Sequence, residues 1–487
     1  MGFACAPLNL YIFIFFALQK TPLYVIIYRT NNFGVDCMQK SGLGKREWLS
    51  IVLFGFIGQL AWNVENMYFN TFLFNKIGGT TDDINTMVAA SAISAVVTTF
   101  IMGALSDRVG KRRLFVSFGY ILWGITVMAF AFISRESIAA LLSITDTQKV
   151  IAATVSAVII MDCVMTFMGS TSNDAAFNAW ITDITNDSNR GTVEGVNAIL
   201  PILAMLFVTV GFGIGVTAVG YSACFIALGA VVILCGIIGL FTIKDAQKLH
   251  KNNGNYFKEL IYGFRPSVVK ANSKLYMAFA ALCIYSVAFQ VIMPYLFIYL
   301  QHYLGFDFAT LEITPTVIVV AVLALVLLVA GCILLGKMID KRGKDAFVIP
   351  AALVYALGLA LAFFMKSLAT FAIAAVFFGI GFGLLGIIIN STVRDYTPED
   401  KTGLFQGVRM IFAVLIPMVA GPKIGSTVIN IFAKNHTLGT YINDYGESVN
   451  APVPEIFMAA AIVSIFILIP VIALKKKGFK KTKMGER

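Results

Sequence analysis

Apolar runs of roughly 20 residues recur along this chain from Ile51 to Ala473, and nothing else restricts its fold so tightly. At 1.5 Å of rise per residue, each is long enough to cross a hydrocarbon core of about 30 Å as a helix. The runs are continuously apolar and do not alternate over ten-residue segments. A spanning segment must also satisfy its backbone hydrogen bonds internally, so helices are expected and a β-barrel is not. Composition agrees: 58% of residues are hydrophobic and only 13% charged, against about a quarter charged in a water-soluble globule. The expected fold class is therefore an all-α polytopic membrane protein.

Twelve spans are predicted: 51–75, 85–105, 114–134, 150–180, 193–217, 222–243, 275–301, 313–336, 346–366, 368–392, 404–431 and 454–473. The fourth is overlong and is expected to include an extramembrane turn. Ahead of these lies an N-terminal extension, 1–50. Its apolar stretch 9–31 contains Lys20 and Pro22 and has no basic leader, which argues against both a spanning helix and a cleavable signal. An interfacial segment, or sequence upstream of a start near Met38, is preferred to a thirteenth span.

Basic residues segregate by loop. One set of connections carries Arg108, Lys111, Arg112 and Arg113, then Arg190, the 244–274 connector, Lys337, Lys341, Arg342 and Lys344, then Arg394, Lys401 and the tail 475–487. The other set holds Lys76, Arg135, Lys149, Lys366 and Lys434. The positive-inside rule then puts both ends of the twelve-span unit in the cytoplasm, with the cell membrane as the expected location. The formal charge of +11 follows from topology and contact with membrane lipids, so no nucleic acid partner is expected. No obligate protein partner is indicated.

The seven Cys are scattered without a CxxC pair, and His250, His302 and His436 lie far apart. Neither a metal site nor histidine-based catalysis is expected, and no cofactor is implied. No Walker lysine loop is present, so direct ATP drive is not expected. The glycine clusters at 211–215 and 379–386 lie inside apolar runs and read as helix-packing surfaces.

The chain repeats itself. Shifted by 212 residues, 181–196 overlays 393–408: Asp183 meets Asp395, Thr185 meets Thr397, Gly191 meets Gly403, and Gly195 meets Gly407. A second echo links "GALSDRVGKRR" at 103–113 with "GKMIDKRGKD" at 336–345. Two six-helix halves, 51–243 and 275–474, joined by the 244–274 connector, follow from this internal evidence.

With these motifs the chain resembles the major facilitator superfamily from about residue 50 onward. The family's loop between its second and third helices is matched by Gly103, Asp107, Arg108, Gly110, Lys111, Arg112 and Arg113. A counterpart in the second half comprises Gly336, Asp340, Lys341, Arg342, Gly343 and Lys344. The resemblance implies a twelve-helix major facilitator fold of two six-helix repeats. Within it, "NVENMYFNTFLF" and "DYTPEDKTGLFQG" are similar to the glycoside–pentoside–hexuronide cation symporters and sucrose transporters. The paired acids of sodium-coupled melibiose-type members are not clearly reproduced.

Gly103 is expected to let two helices approach closely, and Asp107 to accept hydrogen bonds or pair with an arginine, forming a latch on the cytoplasmic side. The gating candidates are thus Gly103, Asp107, Arg108, Gly110, Lys111, Arg112, Gly336, Asp340, Arg342 and Gly343. Anchoring of Arg108 and Lys111–Arg113 in lipid headgroups is the plainer alternative.

Polar groups at membrane depth mark candidate paths. In the first span, Gln59, Asn63, Asn66 and Asn70 share one helical face, and Trp62, Glu65 and Phe69 the adjacent one. Amides offer donors and acceptors to a hydroxyl-rich ligand, and Trp62 offers a face for a sugar ring. Helix–helix amide bonding is the competing use. Glu65 lies about 21 Å into its span by rise. It is the foremost candidate for proton coupling or substrate binding, with a structural ion pair as the alternative.

In the fourth span, Asp162, Thr166, Gly169 and Asn173 form one stripe, and Asp174 and Asn178 an i,i+4 pair. Asp162 is read either as part of a path or as a solvated acid near the outer interface; Asp174 as a path residue or a gate partner of Arg190. Later spans add Asn197, Gln290, Tyr295 and Arg409, the last matched to Asn197 by the repeat. Tyr299 is read as an interfacial anchor. Together these features predict a secondary active transporter of a small hydrophilic solute, foremost a glycoside, coupled to H+, with Na+ left open. A transporter of amino acids, peptides or amphiphilic drugs is the first alternative, and a non-transporting receptor or membrane enzyme the second. No nucleophile–base constellation supports an enzyme.

Overall fold

The computed structural model describes residues 43–185, 190–245, 263–306, 343–398, 402–443 and 445–478. The N-terminal extension up to residue 42, most of the connector, the predicted span 313–336, and Gly336, Asp340 and Arg342 lie outside the described residues.

Among the described residues, ten helices are long and apolar enough to cross a membrane. They comprise α1 (Lys45–Ile77), α2 (Thr81–Val109), α3 (Arg112–Phe132), α5 (Thr147–Ile184), the α6–α7 run, α9 (Ser273–His302), α10 (Lys344–Phe364), α11 (Leu368–Tyr396), α12 (Gly407–Asn435, its first turns starting at Thr402) and α13 (Glu455–Lys476). The short α4 (Arg135–Leu142) and α8 (Pro266–Ala271) complete the helices. Within the run, α6 (Arg190–Phe207) continues through a wide stretch at Val208–Phe212 into α7 (Gly213–Thr242). Gly220, at φ 82° and ψ 168°, breaks this run between the two spans predicted there. Only glycine adopts that backbone without strain.

Helix ends follow local chemistry. Thr80 caps α2, its hydroxyl accepting from the Asp83 N–H while Asp83 accepts from the Thr80 N–H. Gly110 ends α2 in the left-handed region, φ 69°. Exposed Ile93, Val97, Ile101 and Leu105 recur every fourth residue, so α2 turns an apolar stripe outward to lipid.

The extramembrane turn expected within 150–180 is absent: α5 is continuous to Ile184. Its polar segment Ser170–Phe177 winds as a wide π-type stretch. Small polar side chains hydrogen-bonding back to their own helix let it stay helical; the Thr171 and Ser172 hydroxyls donate to the Phe167 and Met168 carbonyls.

In the first half α1 packs on α6, α2 on α5 and α3 on α7; in the second, α9 packs on α12 and α10 on both α11 and α13. α2 and α12 meet across the halves. One end of the bundle carries the Gly103–Arg113 loop and the basic C-terminal turn, and is called the basic end below. The other carries a small antiparallel hairpin, β1 (Thr440–Ile442) with β2 (Ser448–Asn450), which the all-helical expectation did not include. Its turn is built by Asn443, whose side-chain oxygen accepts from the Tyr445 and Glu447 N–H groups.

Candidate functional site

The hairpin end is where the halves are tied. The Arg135 guanidinium donates to both Glu447 oxygens at 3.0 and 2.8 Å and to the Ile77 carbonyl at 2.7 Å, and it lies 3.6 Å from the Tyr445 ring centroid. Asn75 bonds Gln301 and His302, each at 2.9 Å, and Asn430 bonds Asp82 at 2.6 Å. Tyr295, fully buried at the 3-10 turn around Pro294, donates to the Pro422 carbonyl at 2.8 Å and to the Thr81 carbonyl of the other half at 3.2 Å. This position makes it a tie between halves; the sequence had suggested a solute contact.

At the basic end the described ties are internal to each half. Arg112, only 3% exposed, donates to Ser106 at 2.6 Å and to Asp183 at 3.1 Å, and pairs with Asp107. It thereby clamps α2, α3 and the end of α5. In the second half Lys344 pairs with Asp395 at 2.5 Å. The 212-residue shift that pairs Asp183 with Asp395 thus carries a matching ion pair, with Gly110 and Gly343 both at positive φ beside it. Arg108 and Lys111 are exposed. Among the described residues nothing lies within 4 Å of where a Cβ at Gly103 would stand, so the close approach expected of it is not made by them.

Between the two ends, the polar residues of α1 and α5 divide into two layers. The inner layer is buried. Glu65, 8% exposed, accepts through Oε1 from Ser91 of α2 at 2.8 Å and Thr166 of α5 at 3.1 Å, and these hydroxyls lie 2.8 Å from each other. Asp162, one turn before Thr166, is 2% exposed and within electrostatic reach of Glu65. The reading of Asp162 as a solvated helix-end acid is therefore overturned: α5 starts at Thr147, four turns earlier, which carries Asp162 into the bundle. Glu65 Oε2 and Asp162 Oδ1 have no hydrogen-bond partner among the described residues. Among the described residues Glu65 is in no ion pair; its partners are hydroxyls. A wide π-type stretch, Glu65–Phe69, starts at this residue.

Asn173 and Asn70 also belong to the buried layer. Asn173 donates to the Tyr120 hydroxyl at 2.6 Å, which donates to the Phe54 carbonyl at 2.7 Å. Asn70 donates to the Asn66 carbonyl at 2.8 Å. Both are buried and serve helix packing. Gly58 makes the first arrangement possible, since a Cβ there would sit 2.2 Å from the Asn173 amide nitrogen. Gly169 does the same for the Trp62 and Trp123 indoles, whose centroids are 4.9 Å apart.

The outer layer is half-buried. Gln59, Trp62, Asn63 and Asn66 follow one another along α1 at this intermediate exposure. Asn63 and Asn66 donate to the Gln59 and Trp62 carbonyls at 2.7 and 2.8 Å, which aims their side-chain oxygens away from the helix as acceptors. Asp174 is half-buried and accepts from Ser170 at 2.9 Å; Asn178 is exposed. Asn197 is half-buried, with Gly55 of α1 in contact range of its side-chain oxygen. On the second half, Gln290 lies half-buried with its Cβ against Gly421 of α12, and Arg409 donates to Asn390 at 2.9 Å. Tyr299 is no interfacial anchor. It is buried against Phe371 and Phe457, because α9 continues to His302 and carries it inside the second half.

Sequence reasoning missed Ser91, Tyr120, Trp123, Asp183 and Asn390 as site residues, and the Arg135–Glu447 contact. For Asp183 and Asn390 the repeat held a signal; for the others, ordinary residues in apolar runs or loops held none.

The Major Facilitator Superfamily family model matches residues 51–422. "Multidrug resistance protein 2" of Bacillus subtilis (strain 168) is 20% identical over 359 residues, 71% of this chain and 79% of that protein. Among solved structures, the nucleoside transporter NupG superposes with a TM-score of 0.62 at 11% identity, covering 89% of this chain and 99% of that one. The inward open conformation of the xylose transporter XylE from E. coli gives 0.62 at 15% identity, over 90% and 97%. A bacterial homolog of the human lysosomal transporter Spinster, inward-facing and occupied, gives 0.61 at 13%, over 89% and 97%. With two helical halves, polar groups between their ends and a family match across most of its length, the chain belongs to the Major Facilitator Superfamily and is a secondary transporter of a small solute, not an enzyme.

Proposed function

We propose that this protein is a proton-coupled symporter of a small hydroxylated solute, foremost a glycoside or sugar-like molecule, in the cell membrane with its basic end in the cytoplasm. The arrangement described is then the inward-facing state, closed at the hairpin end. The observation that carries the coupling reading is the Glu65 carboxylate, shared between the Ser91 and Thr166 hydroxyls with Asp162 beside it and no basic group bonded to either acid among the described residues. Two neighbouring carboxyl groups out of water cost least when a proton is held between them, so movement of that proton is the natural partner of a change of state. The half-buried amides on α1, beside Trp62, supply the acceptors and ring face that a hydroxylated solute uses.

A second reading, transport of amphiphilic drugs, is favoured by the relative named for multidrug resistance. Purified protein in sealed vesicles, given imposed pH or sodium gradients and a panel of sugars, amino acids and cationic dyes, separates the readings. Sugar accumulation driven by the pH gradient and lost in Glu65→Gln supports the proposal. Accumulation driven by sodium alone, or confined to dyes, overturns it.

A further inference from the structure

The predicted spans of the two halves carry opposite charge. In the first half they hold Glu65, Asp162, Asp174 and Glu194 and no lysine or arginine; in the second they hold Lys366, Arg409 and Lys423 beside Glu455. A carboxylate within a span is costly unless something of opposite charge serves it. Glu65 and Asp162 serve each other by holding a proton between them. Asp174 is placed differently. The Ser170 hydroxyl donates to it at 2.9 Å, and no lysine or arginine pairs with it among the described residues. It is half-buried and lies ten residues from the basic end of α5 at Ile184, about 15 Å by the helical rise.

The surface around Asp174 is built of acceptors. Gly58 faces Asn173 and Gly169 faces Trp62, which fixes an antiparallel register between α1 and α5. Next to Gly58 and Asn173 begin two more accessible rows: Gln59, Asn63 and Asn66 along α1, and Asp174 and Asn178 along α5. Asn63, Asn66 and Asn178 share one posture. Each donates a side-chain N–H to the carbonyl four residues earlier, at 2.7, 2.8 and 3.1 Å, which turns its oxygen away from its own helix. Trp62 stands beside these rows, its ring 2.9 Å from where a Cβ at Gly169 would sit, and Gly169 precedes Ser170, the donor to Asp174. The half-buried indole offers a face to a cation, and its N–H has no acceptor among the described residues. A primary ammonium matches this wall: it has three N–H donors, no acceptor and a positive charge.

We propose that the solute is an amino sugar or a glycoside of one, its ammonium group bound by Asp174 and the Asn178 oxygen, its hydroxyl groups by the Asn63 and Asn66 oxygens, and its ring laid on Trp62. This deepens, and rests on, the reading of the protein as a carrier of a hydroxylated solute. Asp174 sets specificity. A neutral sugar leaves the carboxylate at membrane depth without a counter-charge, and acylation of the nitrogen removes the charge together with two of the three donors.

The test is uptake by the full chain in sealed vesicles of glucosamine and galactosamine, matched with glucose, galactose and N-acetylglucosamine. At about pH 6.5, where such an amine is charged, at least one amino sugar is expected to enter tenfold or more faster than both its parent and the acetylated sugar. That ratio should fall as the outside pH is raised through about 8, where the amine loses its proton. Asp174→Asn should bring the ratio within about twofold and make it flat with pH, and Asp174→Glu should retain part of it. Equal or preferred uptake of the neutral sugars by the unaltered protein overturns this inference alone, and uptake of neither class overturns the carrier reading beneath it. If Asp174→Asn slows every solute in parallel and leaves the ratio in place, the carboxylate serves the helix or the conformational cycle, and the specificity role falls.

Discussion

Arg135 and Glu447, far apart in the chain and in different halves, meet as a two-pronged ion pair with both N–O distances at or below 3.0 Å. The pair is set by its surroundings. Tyr445 covers one face of the guanidinium, Asn443 donates to Glu447 at 2.8 Å, and Gly78 leaves room, since a Cβ there would sit 2.3 Å from the Arg135 Nη2. The hairpin thereby straps the second half onto the end of the first.

Loosening this strap should favour opening at the hairpin end. Glu447→Gln and Arg135→Gln are each expected to weaken closure by about 1 kcal/mol, the scale of a partly exposed pair. Labelling of a cysteine placed at Asn75 by an impermeant thiol reagent should rise severalfold in both variants. Unchanged labelling would show that the strap does not hold the closed state.

The pH dependence of the strap has a definite sign. The hydrogen bond from Arg135 holds the Glu447 carboxyl below the usual carboxylate range. A depressed value contributes stability above the ordinary carboxylate range, about 4.3, and that contribution fades as pH falls through the depressed value. Divided by the labelling of an exposed reference cysteine at the same pH, which removes the thiol's own titration, labelling at the hairpin end should therefore be flat from about pH 5 to 8 and rise only in stronger acid, and Glu447→Gln should remove that acid-side rise. A rise centred near neutral pH would assign the closure to another group.

Glu65→Gln keeps the size of the side chain and its bonds to Ser91 and Thr166 but removes the exchangeable proton. Accumulation driven by a pH gradient should fall by at least about tenfold, the factor set by 1.4 kcal/mol, while solute exchange without a gradient continues. Ser91→Ala should give a smaller loss. Retained accumulation in Glu65→Gln would remove the residue from coupling.

Two glycines make opposite predictions. Gly58→Ala drives a methyl group into the Asn173–Tyr120 contact and should cost about 1–3 kcal/mol, read as a lower unfolding temperature in detergent. Gly103→Leu meets none of the described residues, so stability should hold while transport slows if this face must close during the cycle. Normal transport by Gly103→Leu would exclude that closure.

Arg112, buried between Asp107 and Asp183, should tolerate little change. Arg112→Ala leaves two carboxylates without their cation and is expected to cost about 3 kcal/mol or more. Thermal unfolding of Arg112→Ala beside Arg108→Ala checks this, because Arg108 is exposed and its loss should be nearly silent.

The sequence by itself determined the helical membrane class, the repeat and nearly all the spans, because these depend on local quantities: apolar run length, loop charge and self-similarity. It also placed Glu65 among polar faces, since helical spacing fixes which residues share a side. It did not reveal which side faces a chamber and which faces another helix. Asn63 and Asn173 look alike in the sequence, yet one is half-buried with an acceptor turned outward and the other is sealed under Tyr120. That distinction depends on where α2, α3 and α5 cross α1, which Gly58 and Gly169 permit by yielding space to partners distant in the chain. The Arg135–Glu447 strap is likewise a product of tertiary structure, because it joins two loops whose proximity depends on how the halves are closed.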